Sequence, residues 1–212
     1  MCRLLYIRSA ESFALGAHLK EFAKTARNSP EDQSHGWGCA WIDNGNWRFY
    51  HSLTPVWEDC VDRFGSSSCL LAHARSAYKN EGIEIQNNMP FYDGDKVFIF
   101  NGELQGVRVR EEGRIGAEKV FNFVKRFDQG DMLKAVREGV LRLERKTRYV
   151  RAMNFVIAAK NSAWLNTLFE ENPQYFQMYQ KSFDTTFMVS SAPYEGDRNW
   201  TSIENRTVVA LP

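Results

Sequence analysis

Apolar and polar residues alternate along several short stretches of the chain, and the alternation predicts strands over 2–7, 38–42, 47–50, 69–74 and 96–100. Turn residues bound them, among them Asp43-Asn44-Gly45-Asn46, whose Asn-Gly pair marks a hairpin, and Asp93-Gly94-Asp95. A second group of strands is predicted over 154–158, 163–168, 186–190 and 207–211, with Lys160-Asn161-Ser162 as a connecting turn. Between the groups the period becomes helical. Val120, Phe121, Val124 and Phe127 define an apolar face over 117–127, and Met132, Val136, Val140 and Leu143 define another up to about 146, with Asp131 as its N-cap. A less regular pattern, Phe13, Ala17 and Phe22, predicts an earlier helix over 10–26. Strands, then two helices, then strands predict a layered α+β domain with two antiparallel sheets covered by helices, and not alternating βαβ units.

Composition narrows the function more than the fold. With 212 residues, 43% of them apolar, the chain can bury a large core without disulfides or a structural metal. Lys+Arg 27 against Asp+Glu 26 leaves a net charge of +1, so no global basic field draws in nucleic acid or anionic lipid. No apolar run is long enough to span a membrane, and the first residues carry no secretory pattern, so neither a membrane nor an exported location is expected, and the compartment expected is the cytoplasm. No repeat or linker divides residues 1–212, which read as a single domain. Cys39, Cys60 and Cys69 read as buried structural thiols, and the histidines show no metal-ligand spacing, so no metal is expected. No glycine-rich phosphate loop or dinucleotide fingerprint occurs, so no cofactor is expected either.

Four short segments carry candidate chemistry. Cys2 follows the initiator methionine, and its small side chain permits removal of Met1, which leaves a thiol and a free α-amino group on one residue. With an amine pKa of about 7.7–8.0 and a thiol pKa of about 8.5, the amine can take the thiol proton and return it to a leaving group. Taken alone, a cysteine here is more often a small apolar residue heading a strand. Phe100-Asn101-Gly102-Glu103-Leu104 follows an apolar strand and reads as a turn, yet an Asn amide beside a Gly N–H can also hold an oxyanion. Arg75, at the end of Ala72-His73-Ala74-Arg75, can fork onto a carboxylate or form a surface ion pair. Ser34-His35-Gly36-Trp37-Gly38 places an aromatic between glycines and by itself marks a tight turn.

Together, and in this order, these segments resemble the class II glutamine amidotransferase domain of the N-terminal-nucleophile (Ntn) hydrolases, stand-alone type. The resemblance rests on Met1-Cys2-Arg3, His35-Gly36-Trp37-Gly38, Ala72-His73-Ala74-Arg75, Asn87-Asn88-Met89-Pro90-Phe91 and Phe100-Asn101-Gly102-Glu103-Leu104. It continues through Met153-Asn154-Phe155-Val156 and Ser190-Ser191-Ala192-Pro193, and so covers nearly the whole chain. It implies a four-layer αββα sandwich whose first strand carries the nucleophile, in a mature chain beginning at Cys2. It also implies that Cys2 attacks a side-chain amide to form a γ-glutamyl thioester, that Asn101 and Gly102 hold the oxyanion, that Arg75 grips the substrate α-carboxylate, and that Gly36 and Trp37 shape the wall.

The sequence departs from the family at several places. His35 stands for the aspartate of D-G-W-G, Met89 for the histidine before P-F, and Phe100 for the histidine before N-G. Gly116 stands where the family has an aspartate that binds the substrate's α-ammonium group, and Tyr78 where it tends to have a small hydroxyl residue. Of the nearby carboxylates, Glu112 and Glu118, the second is read as a first-turn helix residue favoured by the dipole. The nucleophile and oxyanion set are intact and substrate recognition is altered. The reading is an amidohydrolase of glutamine or of a larger γ-glutamyl compound, with water or a separate ammonia-accepting synthase subunit as acceptor, since no synthase domain is expected within the chain. The alternatives are a non-catalytic binding or regulatory subunit that keeps the fold, and an unrelated thiol hydrolase pairing Cys2 with His35 or His73.

Overall fold

A computed structural model describes residues 1–212. In chain order the elements are β1 (Arg3–Ala14), α1 (Leu15–Arg27), β2 (Trp37–Asp43), β3 (Asn46–Ser52), β4 (Ser66–Ala74), β5 (Phe91–Tyr92), β6 (Val97–Val107), α2 (Gly116–Lys125), α3 (Met132–Lys146), β7 (Thr147–Ala158), β8 (Ala163–Thr167), α4 (Pro173–Phe176), β9 (Tyr179–Phe183), β10 (Thr186–Ser190), β11 (Thr201–Ser202) and β12 (Thr207–Leu211). Seven strands pair in the order β11-β9-β10-β1-β4-β2-β3, and five in the order β12-β8-β7-β6-β5, all neighbours antiparallel.

The alternation along β1 explains the layering. Leu5 and Ile7 point to α1, where they meet Leu15, Leu19 and Phe22, whereas Leu4 and Tyr6 point the other way, into the larger core shared with the five-stranded sheet. That second sheet is apolar on both faces. Its β6 run Val97-Phe98-Ile99-Phe100 is buried throughout, and Phe98 stacks on Phe121 of α2 with ring centroids 4.8 Å apart. α1 therefore covers one sheet and α2 with α3 the other, which gives the expected αββα sandwich. Each large side chain so buried stabilises the fold by roughly 1.5–3 kcal/mol, so the layers are held by these faces and not by the surface ion pairs. No helix is long and apolar enough to cross a membrane.

Local chemistry agrees with most boundaries. Asn44 and Gly45 take positive φ of 48° and 74° in the β2–β3 hairpin, and the Asp131 carboxylate accepts from Lys134 N–H at 3.0 Å as the N-cap of α3. Three expectations are corrected. The first helix begins at Leu15, because residues 10–14 extend β1: after an irregularity beyond Arg8, Phe13 and Ala14 pair with Ser67 and Ser66, and Leu15 N–H donates to Gly65 O at 2.9 Å. Asn101 and Gly102 form no turn, since β6 runs through them to Val107 and pairs them with Asn154 and Met153. Cys60 is exposed, because it precedes a single 3-10 turn whose Val61 takes the inward position.

Candidate active site

The N-terminal end of β1 and the middle of β6 meet at one end of the paired sheets, and this meeting sets the site. Leu4 of β1 lies opposite His73 of β4, and the His73 Nε2–H donates across the sandwich to Phe100 O of β6 at 3.1 Å. The next residue, Asn101, is fully buried, and its Oδ1 accepts the Cys2 backbone N–H at 3.0 Å. That bond fixes the amide orientation, leaving Asn101 Nδ2 a buried donor with no partner. Gly102 follows because nothing else fits: a Cβ there would lie 2.1 Å from Ala152 O.

Cys2, Gly102, Arg75 and Gly116 all line a single cavity of about 830 Å³. The Cys2 thiol faces Ser76 O at 3.7 Å, and burial pushes its pKa up, against the pull of the chain's amino terminus and of Arg75. Arg75 is 5% exposed, and no carboxylate lies within 4.0 Å of it. Its guanidinium donates to Asn88 Oδ1 at 3.2 Å and to Gly82 O at 2.8 Å. A buried cation that is hydrogen-bonded to neutral groups, pairs with no carboxylate and opens on a cavity has the chemistry to take an anion.

Gly36 and Trp37 lie behind this wall and do not line the cavity. Gly36, at φ 101°, accepts Arg75 N–H at 2.8 Å, and a Cβ on it would come within 2.4 Å of Asn88 Nδ2, so it lets the loop close around Arg75. Trp37 is buried on the α1 side between Tyr50 and Phe64, with Nε1–H donating to Asp59 at 3.0 Å. His35 braces the same loop by accepting Ala77 N–H on Nδ1 at 2.8 Å. Met89 and Phe100 line the cavity as apolar wall, and Tyr78 stands exposed at its mouth.

Gly116 opens α2 facing the cavity, and a Cβ there would meet nothing within 4 Å. Neither Glu112 nor Glu118 lines the cavity, and Glu118 instead pairs with Arg114, as a first-turn residue whose carboxyl that arginine holds below its usual range. The Gly116→Asp protein therefore gains a carboxylate in open space beside the cavity. For a substrate with a free α-ammonium group, KM measured by glutamate release is expected to fall about tenfold, with kcat little changed. An unchanged or raised KM would place the ammonium group elsewhere.

Around Cys2, the residues Glu31, Gln33, Arg151 and Tyr175 carried no sequence signal, whereas Ser191 lies in a segment that carried the resemblance. Glu31 pairs with the Met1 ammonium and with Arg151 at 3.3 Å, and Arg151 reaches Glu103 at 3.4 Å. Gln33 Nε2 and the Tyr175 hydroxyl both donate to Met1 O. Ser191 Oγ accepts Leu4 N–H at 2.9 Å and anchors the start of β1.

Solved structures share this architecture. A glutamine aminotransferase class-II domain protein from Silicibacter pomeroyi aligns with a TM-score of 0.67 at 16% identity, covering 96% of this chain and 92% of that one. A predicted glutamine amidotransferase from Pseudomonas aeruginosa aligns at 0.62 and 15%, covering 99% and 96%. The glutamine phosphoribosylpyrophosphate amidotransferase of B. subtilis aligns at 0.66 and 12%, covering 90% of this chain and 42% of that one. The fold is that of class II glutamine amidotransferase domain proteins, an Ntn-hydrolase fold. Among curated proteins, a gamma-glutamyl-hercynylcysteine sulfoxide hydrolase from Mycobacterium tuberculosis (strain CDC 1551 / Oshkosh) is 30% identical over 91 residues, which span 41% of this chain and 39% of that relative. No protein-family model matches the chain.

Proposed function

We propose that this chain, after removal of Met1, is an amidohydrolase that cleaves the γ-glutamyl amide of glutamine or of a larger γ-glutamyl compound through a thioester on Cys2. The observation that carries the reading is Asn101, one end of whose amide holds the Cys2 nitrogen while the other is a buried donor with no partner beside the cavity. The α-amine of Cys2 takes the thiol proton as Sγ bonds to the amide carbon, and the carbonyl electron pair moves to oxygen. Asn101 Nδ2 and Gly102 N–H stabilise that oxyanion. The C–N bond then breaks, and the amine passes its proton to the departing nitrogen. Water adds to the thioester, the S–C bond breaks, the thiol recovers its proton, and a glutamyl carboxylate is released. Arg75 takes the α-carboxylate.

Likeness in fold to amidotransferase domains supports this reading, as does the partial match to a gamma-glutamyl-hercynylcysteine sulfoxide hydrolase. The acceptor is water in the simplest form. Transfer of ammonia to a synthase partner is the variant suggested by the B. subtilis enzyme, of which the aligned region is less than half. A non-catalytic subunit is the second reading, favoured by Gly116, His35, Met89 and Phe100, which stand where the family has an aspartate or histidine; a chain that retained Met1 would also lack the free amine of Cys2 as base.

The test is glutamate release from glutamine and a panel of γ-glutamyl peptides by tag-free protein whose mass shows loss of Met1. Asn101→Ala is expected to lower kcat on the order of 10²–10³-fold, the cost of one oxyanion donor, while circular dichroism stays that of the parent. A processed protein that releases no glutamate from any of these compounds would sink the enzyme reading in favour of the second.

A further inference from the structure

The place where Met1 sits is a built site. Its carbonyl oxygen accepts from Gln33 Nε2 and from the Tyr175 hydroxyl, its ammonium pairs with Glu31, and its side chain packs against Ala152, Phe169, Tyr175 and Phe176. Gln33 is 1% exposed, and its Oε1 has no partner at all. Behind Tyr175 lies Arg3, 5% exposed, with its guanidinium 4.1 Å above the ring centroid, and its Nε–H donates to Ser29 Oγ at 3.2 Å, next to the Tyr175 hydroxyl. Like Arg75, Arg3 has no carboxylate within 4.0 Å. Arg75 lines the cavity together with Met1 and Cys2, and Arg3 lies outside it, behind Tyr175.

Removal of Met1 empties this seat and takes one acceptor from each of two donors: the Tyr175 hydroxyl is left with Ser29 Oγ at 3.5 Å, while Gln33 Nε2 keeps Glu31 O at 3.0 Å, so the hydroxyl above all favours a new acceptor. The seat also has a fixed relation to the reaction. Met1 is bonded to Cys2 N, and in the hydrolase reading that same nitrogen must reach the departing amine to protonate it. Whatever is attached to the departing nitrogen therefore enters the volume that Met1 leaves.

Resting on that reading, we infer that the vacated Met1 seat is a leaving-group subsite for an α-amino acid. Its carboxylate takes the Gln33 and Tyr175 donors in the field of Arg3, and its apolar or thioether side chain takes the niche of Phe169 and Phe176. The substrate is then a γ-glutamyl amino acid with a carboxylate on each side of the scissile amide, one on Arg75 and one near Arg3. Glutamine, which leaves as ammonia, uses half of the site.

Two measurements on processed protein test this. First, kcat/KM is compared for γ-glutamyl-methionine, γ-glutamyl-methioninamide and glutamine. The free acid is expected to exceed both its amide and glutamine by about tenfold, the worth of a charge-assisted hydrogen bond, and Tyr175→Phe is expected to bring the acid-to-amide ratio to within about twofold. Equal rates for acid and amide, or a ratio that survives Tyr175→Phe, would overturn the subsite while leaving the hydrolase intact. Second, calorimetry measures L-methionine and L-methioninamide binding to the Cys2→Ala protein, whose mass shows that Met1 has been removed. Binding of the acid about tenfold tighter than the amide supports the subsite even where no compound is hydrolysed. Failure to bind methionine at millimolar concentration overturns it.

Discussion

Cys2→Ala is expected to abolish glutamate release, by on the order of 10⁵-fold or more, while the protein folds as before. In the proposed mechanism the size follows from losing the atom that forms the covalent intermediate, a loss the remaining groups would not offset because they act only on what the nucleophile makes. The fold is spared because the thiol's one polar contact is a long one to Ser76 O at 3.7 Å. Alanine also keeps the α-amine, the Asn101 bond and the small side chain that permits loss of Met1. Progress curves by coupled glutamate detection, with intact mass and thermal melting on the same samples, read both halves of the expectation. A companion protein extended by one or more residues before Cys2 keeps the thiol and loses the free amine. It is expected to be nearly as inactive, because no other base is placed to help. His73 donates its proton to Phe100 O and is held neutral in the core, and His35 spends Nδ1 on Ala77 N–H. Full activity in the extended protein would remove the amine from the mechanism and revive a thiol–histidine pair.

The layers of this fold were legible because they follow from side-chain periodicity. Leu4 and Tyr6 against Leu5 and Ile7, or the apolar face of α3, state in the sequence which face is buried, and the structure buries it. Asn101-Gly102 misled for the opposite reason. Asn-Gly is a turn by local preference, yet the pair stays extended because β7, some fifty residues later, supplies Asn154 and Met153 as partners and an Ala152 carbonyl that only glycine can approach. β9 and β11 escaped notice because each is short and neither buries a residue fully, so neither has an apolar face to display. Cys2, Gly102 and Arg75 line one cavity and Asn101 sits buried beside it, bonded to the Cys2 nitrogen, whereas Gly36 and Trp37 lie behind it. The Met1 seat could not have been read at all. Glu31 and Gln33 lie in an irregular polar loop and Tyr175 in a single helical turn, and only the tertiary fold brings them to the chain's first residue.

Acidification is expected to destabilise the fold well before its carboxylates titrate, and His73 is the main cause. Burial, with Arg75 nearby, lowers its pKa from the usual 6.5 to about 3. Its Nε2–H is used on Phe100 O, and the buried Nδ1 has no partner to receive a second proton's hydrogen bond. The folded state thus binds fewer protons than the unfolded chain across the window from about 6.5 down to about 3, and linkage makes stability fall as pH falls through it. Between pH 6.5 and pH 4.5 the loss amounts to about 2 kcal/mol from this one residue. His18 and His51, also lowered by burial, push the same way, whereas the lowered carboxyls of Asp32, Asp93, Asp197 and Glu118 begin to matter only below that range. Urea unfolding at pH 6.5 and 4.5 measures the loss, and His73→Gln isolates its source, since the glutamine amide can still reach Phe100 O but does not titrate. The variant is expected to be less stable than the parent at pH 7.5 and to lose about 2 kcal/mol less between the two lower values. Equal losses in both proteins would mean that His73 is already charged in the fold. A second proton would then sit beside the strand that presents Asn101, where a fixed positive charge would stabilise the oxyanion and oppose protonation of the Cys2 amine.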